Sequence, residues 1–270
     1  MSLTKSLRVI DSHVHLDFNE FDHCRAPLMA LMRQQGLLNA IIPGVAAKLW
    51  AKQLAVARQY QCHFGLGIHP WYCVRDWQAS VSQLNIEIVK QMEQANDSSR
   101  LVAIGECGLD GLYRDSWQWQ LPCFEAHLVL ARRYRLPIII HSVKAHNDVL
   151  ELLKRHPLEK GGVIHGFYGD PQLARRYLDL GMKLGIGDLL LNEKACKLQE
   201  TIVNLPLTSF VIETDLALVS AAKKRHLADK INGSGLILHL LIEKIAKLHK
   251  KTNVLVSEQV FQNTLQLFDL

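Results

Sequence analysis

The feature that most constrains this chain is a regular alternation of short apolar runs with longer amphipathic stretches, counted eight times. The apolar runs are Leu7–Asp11, Asn39–Val45, His63–His69, Leu101–Cys107, Pro137–His141, Gly162–Phe167, Met182–Ile186 and Ser209–Asp215. Helical patterns follow them at about Pro27–Gln35, Lys48–Tyr60, Ala79–Asn96, Ser116–Tyr134, Ala145–Arg155, Pro171–Leu180 and Asn192–Val203, and two more close the chain at Leu236–His249 and Ser257–Phe268. Runs this continuously apolar and rich in β-branched residues are strands buried on both faces of a parallel sheet. Eight evenly spaced units in a 270-residue chain predict an α/β fold, a closed (β/α)8 TIM barrel forming a single domain over residues 1–270. A doubly wound open sheet is the alternative, and the even spacing disfavours it. Leu216–Ser234 lacks clear periodicity and reads as a long loop after the eighth strand.

Composition narrows the class. With 49% hydrophobic and 21% charged residues the chain is neither disordered nor a membrane span, and no apolar stretch reaches the length that a bilayer requires. The net charge of +5 permits an anionic substrate but forms no dense basic stripe. Six cysteines without a Cys-x-x-Cys pair, and no secretory pattern at residues 1–6, point to reduced, mostly buried thiols in a cytoplasmic protein.

A barrel carries its active site at the C-terminal ends of its strands. Residue types that bind metals collect there. His13 and His15 end the first strand and, two apart, project to the same side. His69 ends the third, Glu106 the fourth, His141 the fifth, His165 the sixth and Asp215 the eighth. His13, His15, Glu106 and Asp215 can surround one divalent ion, and Glu106, His141 and His165 a second, with Glu106 bridging. Two such ions acidify a shared water and clamp the attacking and leaving oxygens of a hydrolysis. Asp215 and Glu106 are therefore the expected catalytic carboxylates, Asp215 as general base. Zinc or manganese suits the imidazole–carboxylate donor set. Lys144, Arg114 and Lys223-Lys224-Arg225 are candidates for phosphate contact, with a solvated charged loop as the competing account. Trp71 and Tyr72 can stack on a base or plug the barrel mouth. Trp117, Trp119 and Cys107 read as packing.

Asp11-Ser12-His13-x-His15-Leu16, Gly67-x-His69-Pro70, Gly105-Glu106-x-Gly108-Leu109-Asp110, Pro137-x-x-x-His141, His165-x-Phe167 and Glu213-Thr214-Asp215 together resemble the TatD family of metal-dependent nucleases, within the amidohydrolase-like barrels. The resemblance implies a TIM barrel, magnesium-supported phosphodiester hydrolysis and 3′→5′ removal of nucleotides from DNA. It implies metal ligands at His13, His15, Glu106, His141, His165 and Asp215, and a pocket role for His69 toward substrate phosphate or water. The expected substrate is single-stranded DNA or DNA ends, with His69, Trp71 and Lys144 binding it, and neither a membrane nor an obligate protein partner is expected. The pattern departs from the family at Ser142-Val143-Lys144-Ala145 and at Leu216-Ala217-Leu218 after the last motif. Those departures keep a second function open, hydrolysis of a non-DNA ester or amide such as a D-aminoacyl-tRNA linkage.

Overall fold

A computed structural model describes residues 7–94, 98–216 and 227–270, with side chains in the last segment from residue 237 onward. Eight parallel strands lie in sequence order: β1 (Val9–Asp11), β2 (Leu37–Ile42), β3 (His63–Leu66), β4 (Leu101–Asp110), β5 (Ile138–Val143), β6 (Gly162–Ile164), β7 (Met182–Ile186) and β8 (Phe210–Ile212). Each is followed by a helix: α1 (Arg25–Gln34), α2 (Ala47–Gln59), α3 (Trp77–Glu93), α4 (Trp117–Tyr134), α5 (His146–Arg155), α6 (Pro171–Leu178), α7 (Cys196–Asn204) and α8 (Leu227–His249), with α9 (Asn253–Phe268) last. Past the strand ends, the first and eighth strands join through Ser12 N–H to Ile212 O at 3.1 Å and Asp215 N–H to His13 O at 3.0 Å. The sheet thereby forms the nearly closed TIM barrel expected from the eight units.

Two apolar layers build it. Ile41, Val102, Ala103, Ile139, Val163 and Val211 form a buried cluster contributed by five of the strands, closed off by Leu267 and Phe268 of α9. The larger core lies between strands and helices and includes Leu28, Phe64, Phe124, Ile140, Leu184 and Phe210. Trp117 and Trp119 pack against that core, and Cys107 is fully buried. All six cysteines are free thiols, five of them buried.

The differences from the sequence expectation are local. β4 runs three residues beyond Cys107, because Gly108, Leu109 and Asp110 stay paired with His141, Ser142 and Val143 of β5. An added Cβ at Gly108 would meet the His141 carbonyl oxygen at 2.1 Å, and its φ of +138° is open to glycine, so these strands approach closely only because the residue has no side chain. β6 and β8 stop before His165 and Asp215. The reading of Leu216–Ser234 as loop is corrected in part: α8 begins at Leu227, so Asn232-Gly233-Ser234-Gly235 is helical backbone despite its turn-like composition. Lys223-Lys224-Arg225 lies outside the described residues. Among those described, no helix is long and apolar enough to cross a membrane.

Candidate metal centre

The C-terminal rim is organised around a single buried carboxylate. Glu106, in mid-β4, is 1% exposed. Its Oε2 lies 3.2 Å from His13 Nε2 and 3.4 Å from His15 Nε2. Its Oε1 lies 2.8 Å from His165 Nε2, 3.1 Å from His141 Nδ1 and 3.3 Å from His69 Nε2. Asp215 Oδ1 reaches 3.7 Å from His13 Nε2 and 3.8 Å from His15 Nε2. Five imidazoles and two carboxylates, from six strand ends, therefore meet within one cluster.

Local structure sets these positions. Asp11 caps the turn after β1 by accepting the His13 N–H at 3.2 Å. The same carboxylate accepts the Thr214 N–H at 3.0 Å and its hydroxyl at 2.6 Å, which binds the first motif to the last. Asp215 itself has a φ of +42°, a conformation rare for a residue with a side chain and concentrated at functional sites. His69 N–H bonds Val45 O at 2.9 Å, and Ile68 N–H donates to buried His127 Nε2 at 3.0 Å, fixing the end of β3.

The donors fit divalent cations. His13 Nε2 and His15 Nε2 approach to 3.2 Å, and His141 Nδ1 and His165 Nε2 to 3.1 Å, as nitrogens sharing an ion do. Three triplets bring their ligand atoms within 4.8 Å of one another: His13–His15–Asp215, His13–Glu106–His165 and His69–Glu106–His141. Without a cation the charges are balanced by protons. Burial, with the charge of His165 beside it, drives His13 down to about 4 and keeps it neutral, the form in which an imidazole can bind a cation. Burial opposes charge on His165 too, but Glu106 outweighs it and lifts that imidazole to about 10. Burial of Glu106 is outweighed in turn by His165, His69 and His13, which hold it well below the usual carboxylate range.

Two further acids support the cluster. Asp110 Oδ2 lies 3.4 Å from His141 Nε2 and accepts the Trp71 indole N–H at 2.7 Å. Glu213 is fully buried behind His165, its Oε1 3.8 Å from His165 Nδ1 and bonded to the Gly166 N–H, and burial lifts it to about 8. Neither was a candidate from sequence. The motif that holds Asp110 and the pair Glu213-Thr214 were visible, but which side chain each acid faces is set by strands distant in the sequence.

The cluster floors a partly open cavity lined by His15, Phe18, His69, Trp71, Tyr72 and Asp215, among others. Trp71 is 47% exposed there, and its ring stacks on Tyr113 at 5.1 Å. His69, expected as a pocket residue toward substrate phosphate or water, lines the cavity and also lies with Glu106 and His141 in a group that could hold an ion. Lys144 does not line this cavity; it lines a neighbouring one. Arg114 sits over the Trp117 ring, 5.2 Å from its centroid.

A (β/α)8 barrel with histidines and carboxylates gathered at its C-terminal rim defines the class of metal-dependent hydrolases. Known proteins narrow this. The family described as TatD related DNase matches residues 10–269. An uncharacterized metal-dependent hydrolase of Escherichia coli, YjjV, is 36% identical over 211 residues, 77% of this chain and 79% of the relative. A 3′-5′ ssDNA/RNA exonuclease TatD of Pantoea ananatis is 27% identical over 97% of this chain and 100% of its own. The crystal structure of YjjV superposes with a TM-score of 0.84 at 30% identity, covering 98% of this chain and 99% of that one. The chain belongs to the TatD family of metal-dependent hydrolases.

Proposed function

We propose that this protein is a two-metal phosphodiesterase that removes nucleotides from the 3′ ends of single-stranded nucleic acid. The observation that carries the reading is the division of labour at Glu106: Oε2 serves His13 and His15, while Oε1 serves His69, His141 and His165. His13, His15 and Asp215 would hold one ion and His141 and His165 the other, with Glu106 between them. Bound ions supply an acidified water and neutralise charge on the phosphoryl oxygens. Asp215, whose side chain is 40% exposed, is the member of the set most open to the cavity. Its burial is outweighed by His165, His13 and His15, which hold its carboxyl below the ordinary value. It is thus ionised at neutral pH and able to accept the proton of an attacking water. Trp71 and Tyr113 offer a stacking face for a terminal base. A relative named as an ssDNA/RNA exonuclease and aligned along its whole length supports the substrate class. Magnesium, or the manganese or zinc that imidazoles favour, are the ions to supply. The reading is of a cytoplasmic enzyme acting without an obligate protein partner.

The test is cleavage of end-labelled single-stranded DNA and RNA with magnesium, then manganese, beside the Asp215→Asn variant. Stepwise shortening from the 3′ end, absent in the variant, is the expected result. No shortening by metal-loaded protein, with turnover of aminoacyl or simple carboxylic esters, would replace this reading with hydrolysis of a different bond.

A further inference from the structure

Next to the metal centre, along the same rim, lies a second, partly open cavity. Its wall includes Ser142 and Gly166, each the immediate chain neighbour of a metal-centre histidine, His141 and His165. The two cavities therefore adjoin across the ends of β5 and β6. At Gly166, with φ of +55°, an added Cβ would meet no heavy atom within 4 Å, so the space beside that junction is open. Lys144 and Lys197 both line the second cavity, and both are exposed. Among the described residues neither has an ion-pair partner. The carboxylate in that wall, Asp170, is engaged as the cap of α6, accepting the Leu173 N–H at 2.8 Å. Tyr168 adds a ring 41% exposed. Behind them the wall is fixed by His146, whose Nδ1 lies 3.0 Å from Ser142 Oγ and 2.9 Å from the buried Tyr177 hydroxyl. Two unpaired cations and an aromatic face beside a catalytic cleft are the elements of a groove for single-stranded nucleic acid.

We infer that this second cavity, through Lys144 and Lys197, binds the phosphates of the substrate strand beyond the nucleotide being removed. The inference rests on the phosphodiesterase reading above and adds to it a dependence on length: a strand must reach past the junction at Gly166 to gain these contacts. The experiment compares kcat/KM for a 12-nucleotide single strand with that for bis(4-nitrophenyl) phosphate, a diester too short to enter the second cavity. The proteins are wild type and Lys144→Gln/Lys197→Gln, metal-loaded and with metal content measured. The ratio of the two values should fall about tenfold in the double variant. The slope of log kcat/KM against log salt on the 12-mer should become shallower by about 1.4, as for two lost phosphate contacts on a single strand. A ratio within twofold of wild type, or an equal fall on both substrates, overturns the inference while leaving the phosphodiesterase reading in place. Wild-type protein that cleaves the small diester but no oligonucleotide overturns both.

Discussion

Asp110→Asn isolates what a carboxylate outside the ligand set does for the metal centre. Asp110 Oδ2 accepts from the Trp71 indole at 2.7 Å and lies 3.4 Å from His141 Nε2, and Oδ1 accepts the Leu112 N–H at 2.9 Å. Burial opposes its ionised form, but the bonds from His141, Trp71 and Leu112 outweigh it and hold the carboxyl at about 2, against an ordinary 3.8. That difference is about 2 kcal/mol of net interaction favouring the carboxylate. The side chain is 3% exposed, so solvent screens little of it. An amide keeps the shape and loses an acceptor: whichever way it turns, its NH2 faces Leu112 N–H or the Trp71 and His141 donors. Metal-free Asp110→Asn should therefore lose about 2 kcal/mol in urea unfolding at pH 7. Its affinity for manganese should fall 10- to 100-fold, about 1.4–2.8 kcal/mol, because His141 is no longer oriented and made more basic by a carboxylate. Calorimetric titration of chelator-treated protein reads the affinity. Trp71→Phe removes the indole bond but leaves Asp110 beside His141, and should bind manganese within about threefold of wild type. Manganese affinity within twofold of wild type in Asp110→Asn would refute the argument that this acid acts through His141.

Other perturbations bear on the rest of the design. Asp215→Asn should cut turnover by about 10²–10⁴-fold as a lost general base, with a melting temperature near that of wild type because the side chain is 40% exposed; a variant with full activity would exclude Asp215 from proton transfer. Gly108→Ala, with its Cβ 2.1 Å from the His141 carbonyl oxygen and φ of +138°, should destabilise by at least about 3 kcal/mol; an unchanged thermal melt would mean the two strands separate at little cost. In metal-free protein, burial lifts Glu213 to about 8 and Asp11 to about 7, while Glu106, against burial, lifts His165 to about 10. All three hold protons more tightly folded than unfolded, so stability should fall as pH rises from 6.5 to 9. Melting of chelator-treated protein across that interval checks the sign, and a rising melting temperature contradicts it.

The barrel is legible in the sequence because parallel strands covered on both faces must be apolar throughout, and helices between them must not be. Met182–Ile186 is a strand with the bounds the sequence suggests. Where the expectation errs, a local rule is overridden from a distance. Gly108 looks like the end of a strand, yet it is required there by the approach of β5. Asn232-Gly233-Ser234-Gly235 has turn composition, yet lies within α8. The cluster itself was foreseeable, since a (β/α)8 barrel delivers every strand end to one rim. What each residue faces was not. His69 reads as a substrate contact in one dimension, and only the fold sets its Nε2 3.3 Å from Glu106. Asp110 and Glu213 were hidden for the same reason, as their partners, His141 and His165, are 31 and 48 residues away along the chain.

The barrel's seam has a consequence for biosynthesis. His13 and His15 leave the ribosome early, but the Asp11 carboxylate that shapes their turn finds Thr214 only after two hundred further residues have been made. Asn263 of α9 then clasps the seam, donating to the Leu207 and Phe210 carbonyls, while Ser257 donates to Arg8 O. The cluster that could hold a cation is thus incomplete in any nascent chain that lacks Asp215. Assembly of the cluster therefore waits on the eighth strand and on the helix that fastens it to the first.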